Sequence, residues 1–389
     1  MEFAKRLSGL QTSIYSQLDD LKKEIIESGK TPINLSIGSP DLAPPERVRE
    51  LVAKHALDPK AYDYTLTRGT YEFREACAKW YKIRFNVEID PETEVLPLMG
   101  SQDGLSHIFW VFIDKGDSAF IPDPGYPIYS DGLALAEGRK IPIPLKEEND
   151  YLPDFGAINP DDANKAKLMI LNYPNNPTAA VAPESFFEEV VDFASKYDIV
   201  VCHDAAYTEL AFDGYRPCSF LQIPGAKEVG VEFHSLSKTY NMAGARLGFV
   251  VGNAKIIKAL ETVKSNIDYG TFRPLLNAGV AALMESNDTI IKNRETYQRR
   301  RDIWVDGCAA AGWAIKKPKA SMFVWAPVPT KQDSLSFVMD LARETGVILV
   351  PGSAFGKFGE GYVRVGLVKD EDSLKQAVEK VKTFLENKD

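Results

Sequence analysis

Four polar clusters in this chain each follow a short apolar run, and their side chains suit one another chemically. Val231-Glu232-Phe233-His234 leads into Ser235-Leu236-Ser237-Lys238, and Ile199-Val200-Val201-Cys202 leads into His203-Asp204-Ala205-Ala206-Tyr207. Lys167–Leu171 leads into Asn172-Tyr173-Pro174-Asn175-Asn176-Pro177-Thr178. Val95–Met99 ends at Gly100-Ser101-Gln102-Asp103, where a helical pattern begins. In open α/β sheets, ligands bind at the carboxyl ends of the strands. Singly, each cluster has an ordinary explanation: Asp204 caps a helix, Asn175-Asn176-Pro177 turns the chain, Lys238 is an exposed lysine. Together they offer an amine, an acid, an amide and a helix start ready for an anion.

A lysine amine attacks carbonyl carbon once it is partly desolvated and set near another cation. Arg246, eight residues after Lys238, supplies that cation. The hydroxyls of Ser235 and Ser237, with the backbone N–H groups of Ser101 and Gln102, would cradle a dianionic phosphate, as helix N-termini do. A phosphate site beside a carbonyl-reactive lysine and a carboxylate suits pyridoxal 5'-phosphate. The carboxylate would keep the pyridine nitrogen protonated, so that the ring withdraws electrons.

The run Ser235-Leu236-Ser237-Lys238-Thr239-Tyr240-Asn241-Met242-Ala243-Gly244-Ala245-Arg246-Leu247-Gly248 resembles the signature of the class I pyridoxal-phosphate aminotransferases of fold type I. Further landmarks stand in family order: Ile37-Gly38, Tyr64 with Gly69, Gly100-Ser101, Pro124-Gly125-Tyr126-Pro127, Asn176-Pro177, Asp204 with Tyr207, and Arg364. The resemblance spans nearly the whole chain. It implies that Lys238 binds the cofactor covalently and later moves the substrate's proton, and that Asp204 pairs with the pyridinium nitrogen. It also implies that Tyr207 and Asn176 bond the cofactor's phenolic oxygen and that Tyr126 stacks on its ring. Ser101, Gln102, Ser235, Ser237 and Arg246 would hold the phosphate, and Tyr64 would reach it from a neighbouring subunit, making a homodimer. Arg364 and the Gly38 backbone, beside Asn176, would clamp the substrate α-carboxylate. Ala179 stands where a glycine is usual and would stiffen that turn, and Ala245 stands where relatives often carry tryptophan. Arg273 and Tyr15 are further candidates near the substrate. The segment Ile267–Pro274 is similar to the alanine, aspartate and LL-diaminopimelate aminotransferase branches.

Positioning these groups takes an α/β scaffold. Candidate strands at Val95–Met99, Ser118–Ile121, Ile141–Leu145, Lys167–Leu171, Ile199–Cys202, Val231–His234 and Leu247–Val251 alternate with helical patterns such as Gln102–Ile113 and Glu184–Lys196. Such alternation predicts a mostly parallel central sheet sandwiched by helices. After about residue 285 a long polar helix, Asp288 to Ala311, precedes strands at Met322–Ala326, Ile348–Val350 and Tyr362–Val365 and a closing helix from Asp372. This reads as a smaller α+β domain. Leu18, Leu21, Ile25 and Ile26 mark an amphipathic helix in an N-terminal arm. The expected units are 1–44 (arm and part of the small domain), 45–285 (cofactor domain) and 286–389. Arg299-Arg300-Arg301 is expected on a solvated helix face.

Composition narrows the alternatives. The 46 basic against 55 acidic residues give a net charge of −9, which disfavours a general nucleic-acid binder. Four scattered cysteines form no C-x-x-C pair, and four histidines show no metal-ligand spacing, so no metal is expected. The start lacks the apolar middle of a secretory signal, and no apolar run approaches the ~20 residues that span a bilayer, so a cytoplasmic location is expected. Ser235-x-x-Lys238 matches the spacing of penicillin-binding acyl-transferases, but their Lys-Thr-Gly is missing. Gly352–Lys357 is one residue short of a phosphate loop. A regulator domain would need an appended DNA-binding domain, for which residues before 30 leave no room. A pyridoxal-phosphate C–S lyase would use the same lysine, acid and arginine. The expected activity is amino-group transfer between an L-amino acid and a 2-oxo acid: glutamate/2-oxoglutarate with alanine, aspartate or LL-diaminopimelate.

Overall fold

All seven apolar runs expected before residue 285 are strands of one sheet. The computed structural model describes residues 1–10, 14–285 and 288–387. The strands are β1 (Ile33–Asn34), β2 (Val95–Leu98), β3 (Ser118–Asp123), β4 (Arg139–Pro144), β5 (Ala166–Asn172) and β6 (Val200–Asp204). They continue with β7 (Gly230–Ser235), β8 (Gly248–Gly252), β9 (Phe323–Pro327), β10 (Val347–Ile348), β11 (Val350–Pro351) and β12 (Tyr362–Gly366). The large sheet runs in the order β2-β8-β7-β6-β5-β3-β4. Only β8 lies antiparallel to its neighbours, β2 and β7. The inner strands carry nearly unbroken apolar runs because both faces are covered. Leu105, Ile108 and Phe109 of the helix Ser101–Phe112 pack on one face with Leu98, Ile170 and Phe233. Phe73 and Tyr81 of the helix Tyr71–Phe85 pack on the other with Met169, Val201 and Phe249.

A second core gathers the C-terminal elements. β12 lies between β11 and β9 in an antiparallel sheet, and β1 pairs in parallel with β10. Leu18, Leu21 and Ile25 of the helix Ile14–Glu27 are buried in this core beside Phe337 and Leu341. Ile26, expected on the same apolar face, is instead 54% exposed. It sits about 100° around the helix from Ile25, off the stripe that Leu18, Leu21 and Ile25 share.

Two more expectations are corrected. Ile348–Val350 is not one strand: β10 pairs with β1 and β11 with β12, so the chain changes partner at the buried Leu349. The arginine run is not a solvated face. Arg300 and Arg301 are 3% and 1% exposed. Arg300 donates to Asp41 (2.7 and 2.8 Å) and to the Leu367 carbonyl, and Arg301 to Asp213 and the Pro318 carbonyl. Only Arg299 is exposed, paired with Glu371 at 2.8 Å. Three consecutive residues fan around most of a helix, and the helix Asp288–Ala310 is packed on more than one side.

The turn after β5 carries one strained residue. Ala179 has φ +56°, in the left-handed region, and is buried. That conformation costs a side-chain-bearing residue about 1–2 kcal/mol, against about 0.5–1 kcal/mol of extra chain entropy for glycine. Ala179→Gly should therefore raise unfolding stability by about 0.5–1 kcal/mol, read from a denaturant midpoint at unchanged slope. A fall in the midpoint would show that packing around the methyl outweighs the strain.

Candidate active site

β5, β6 and β7 end side by side, which brings three of the four polar clusters together; the fourth arrives on the helix after β2. Residues from all four line one cavity of about 330 Å³. Twelve of the site residues expected from the sequence line it: Gly38, Ser101, Gln102, Tyr126, Asn176, Asp204, Tyr207, Ser235, Ser237, Lys238, Arg246 and Arg364. Tyr64 lies outside it, 80% exposed, with its ring 5.0 Å from that of Tyr269. Arg273, at the start of the helix Arg273–Met284, is not among the lining residues either. The side chain of Tyr15 lies outside the described residues.

Lys238 sits in the short helix Leu236–Thr239, capped by Ser235, whose hydroxyl accepts from the Ser237 N–H at 3.2 Å. Its ammonium donates to the Gly38 carbonyl. Burial, with the positive charges of Arg364 and Arg246 nearby, pulls its pKa down to about 8, which Asp204 only partly opposes. A larger share of the amine is therefore neutral near physiological pH than for a surface lysine.

Asp204, at the end of β6, is buried, and burial pushes its carboxyl pKa up. Tyr129 donates to Oδ2 at 2.7 Å, and the Ala206 N–H donates to Oδ1 at 3.3 Å. Among the described residues no lysine, arginine or histidine forms an ion pair with it. A protonated ring nitrogen would supply the missing cation, so this carboxylate fits pyridoxal phosphate.

The phosphate end fits as well. Gly100 has φ +79°, and a Cβ built there would lie 2.5 Å from Arg246 Nη2, so a glycine is what lets the guanidinium lie against the start of the helix Ser101–Phe112. That helix start is tied down by Asp103, which accepts from the Met99 N–H at 2.9 Å and from the buried Lys264. Lys264 also bonds Asp268 at 2.9 Å. Free N–H groups, a guanidinium and serine hydroxyls together make an anion cradle.

Arg364, on β12, is 1% exposed. Its guanidinium donates to Asn176 Oδ1 and to the Ser36 carbonyl, both at 2.9 Å. It lies against two rings, with Cζ 4.2 Å from the Phe323 centroid and 4.9 Å from that of Phe355. Asn172 holds the Asn176 N–H at 2.7 Å and donates to the Asp204 carbonyl at 2.7 Å, locking the ends of β5 and β6 together.

Sequence reasoning missed Tyr129, Asn172, Phe323 and Phe355. Tyr129, in the helix Pro127–Leu135, follows the cap residue Tyr126 by three, a spacing that puts neighbouring side chains on one side. The two phenylalanines arrive from distant elements and left no local signal. It also missed a buried polar group behind the site. Glu232 is fully buried and bonds His203 (2.9 Å), His234 (2.8 Å), Tyr81 and the Phe220 N–H (2.7 Å). The two histidines hold its carboxyl well below the usual range despite burial. A glutamate inside an inner strand was its sequence signal.

The family model described as aminotransferase class I and II matches residues 30–381. A curated LL-diaminopimelate aminotransferase of Moorella thermoacetica is 46% identical over 385 residues, 99% of each chain. Among solved structures, substrate-bound BacF from Bacillus subtilis superposes with a TM-score of 0.95 at 37% identity, covering 99% of this chain and 98% of that one. A probable N-succinyldiaminopimelate aminotransferase from Thermus thermophilus gives 0.90 at 38% identity, covering 95% of this chain and 100% of its own.

Proposed function

Because the chain belongs to the class I and II aminotransferase family, a family of pyridoxal-phosphate-dependent amino-group transferases, we propose that it moves an amino group from LL-diaminopimelate to 2-oxoglutarate. The observation that carries the chemistry is the Lys238 amine, held near a pKa of about 8 in a cavity that also contains Asp204 and Arg364. The donor is taken from the curated relative at 46% identity over nearly the full chain. That relative is an aminotransferase, which leaves the C–S lyase reading without support.

When bound, pyridoxal phosphate supplies the electron-withdrawing ring that stabilises charge at the substrate's α-carbon. The chain's own residues then have distinct tasks. Arg364 takes the α-carboxylate by a guanidinium fork, with the Gly38 backbone and Asn176 alongside. Lys238 Nζ, as a neutral amine, would remove the α-proton and return it to the cofactor's carbonyl-derived carbon, across the intervening nitrogen. Asp204 keeps a proton on the pyridine nitrogen, with Tyr129 orienting the carboxylate. Tyr207 and Asn176 hydrogen-bond the phenolic oxygen, and Tyr126 covers the ring. Ser101, Gln102, Ser235, Ser237 and Arg246 hold the phosphate.

A homodimer with shared sites belongs to the same reading. Tyr62, Tyr64, Leu66, Tyr269 and Phe272 are exposed together, with Tyr62 against Phe272 and Tyr64 against Tyr269. An exposed apolar patch of this kind supports a protein contact. Tyr64 would reach the partner's phosphate from it. The packing of the helix Ile14–Glu27 with the C-terminal elements supports grouping the arm, 1–44, with 286–389 beside a cofactor unit of 45–285. Among the described residues no helix is long and apolar enough to cross a membrane.

A panel of amino donors with 2-oxoglutarate tests the substrate. Glutamate should form with LL-diaminopimelate at a kcat/KM at least about tenfold above that with alanine or aspartate, one pocket contact being worth roughly that factor. Formation of pyruvate, ammonia and the conjugate's thiol from cysteine conjugates, in place of glutamate, would restore the lyase reading.

A further inference from the structure

A diaminodicarboxylate has a second amino-acid end that a monoamino substrate lacks. Its far ammonium and carboxylate both need partners if they leave water. Beside the cavity just described lies a groove of about 830 Å³, with Gln102 and Tyr126 lining both. Phe355, against which the Arg364 guanidinium lies, also lines the groove. The groove therefore adjoins the cavity in which Arg364 would hold the α-carboxylate, on the side bounded by Gln102 and Tyr126.

Four charged residues line that groove, and two are already engaged. Lys140 bonds Asp123 at 3.4 Å, and Glu360 accepts from the Ser334 N–H (2.7 Å) and hydroxyl (2.9 Å). Asp131, half-buried on the helix Pro127–Leu135, and the exposed Lys357 have no ion-pair partner among the described residues. Burial pushes the Asp131 carboxyl pKa up, which an incoming cation would reverse. One carboxylate and one ammonium, both uncommitted, face one groove.

We propose that this groove is the subsite for the far amino-acid end of the donor, with Asp131 taking its ammonium and Lys357 its carboxylate. The assignment rests on the diaminopimelate reading above. It makes Asp131 and Lys357 determinants of specificity that stand apart from the chemistry at Lys238.

L-2-aminopimelate, which keeps the far carboxylate but lacks the far amine, separates the two contacts. Half-reactions of the holoenzyme with LL-diaminopimelate, L-2-aminopimelate and glutamate would be followed by the cofactor's absorbance. The wild type should prefer LL-diaminopimelate over L-2-aminopimelate by about tenfold or more, the size of one charge-assisted hydrogen bond. Asp131→Asn should erase that preference by weakening apparent LL-diaminopimelate binding, leaving the limiting rate and the glutamate half-reaction near wild type. Lys357→Met should weaken both seven-carbon compounds alike. If Asp131→Asn lowers both seven-carbon substrates equally, or leaves the preference intact, the subsite assignment is wrong while the donor reading stands. If the wild type does not transaminate LL-diaminopimelate at all, the donor reading and the subsite fall together.

Discussion

Lys238→Ala is expected to abolish transamination, with a loss of at least about 10⁴-fold, the upper range for a proton-transfer group alone. The substitution also removes the amine that would hold the cofactor covalently, so the real loss should be larger. The fold should survive. Lys238 sits in a four-residue helix whose cap is made by Ser235, and its burial as a cation costs stability in the native state. Circular dichroism and the denaturant midpoint should stay near wild type. Borohydride treatment of the wild-type holoenzyme, followed by peptide mapping, should find the reduced cofactor on Lys238. Recovery on another lysine would overturn the assignment.

The depressed pKa gives the same residue a second signature. Only the neutral amine attacks a carbonyl, and its fraction rises with pH up to the pKa and levels off above it. Cofactor-free protein should therefore take up pyridoxal phosphate at a rate that climbs with pH and flattens near 8, well below the 10.5 of an ordinary lysine. A rate still climbing beyond pH 10 would show that the neighbouring arginines do not act on this amine.

Much of this site was legible because its residues stand at strand ends. A strand of a covered parallel sheet announces itself as a short apolar run, and the next residues fall on the ligand-binding edge. Asp204 after β6 and Lys238 after β7 could be found that way. What escaped depended on contacts between distant segments. Nothing near Phe323 or Phe355 in the sequence indicates that the Arg364 guanidinium would lie against both rings. Arg300 and Arg301 read as solvent-facing because their partners, Asp41 and Asp213, lie far off in sequence. Ile348–Val350 read as one strand because periodicity does not reveal a change of pairing partner. Asp131 escaped because a lone aspartate on a helix has meaning only once the groove around it is seen.

Arg364→Lys is expected to lower kcat/KM by about 10²–10⁴-fold for every amino and keto acid, whatever its side chain. A guanidinium presents a flat fork that meets both carboxylate oxygens, whereas an ammonium is a single point charge. Losing two charge-assisted bonds of about 1.5–3 kcal/mol each accounts for that range. The surroundings are built for the fork: Phe323 and Phe355 both lie against the guanidinium, while Asn176 and the Ser36 carbonyl fix its edge. A lysine stem would leave part of that slot empty. Cofactor content should stay near wild type, because the phosphate and pyridine contacts come from other residues. Arg364→Met adds an electrostatic readout. Arg364 is a cationic neighbour that depresses the Lys238 pKa, so removing its charge should raise that pKa. The pH at which cofactor uptake levels off should then move upward from about 8 in Arg364→Met and stay nearly in place in Arg364→Lys, which keeps the charge. If Arg364→Lys hurts only acidic substrates, the residue reads the side chain, and the α-carboxylate must be held by another group.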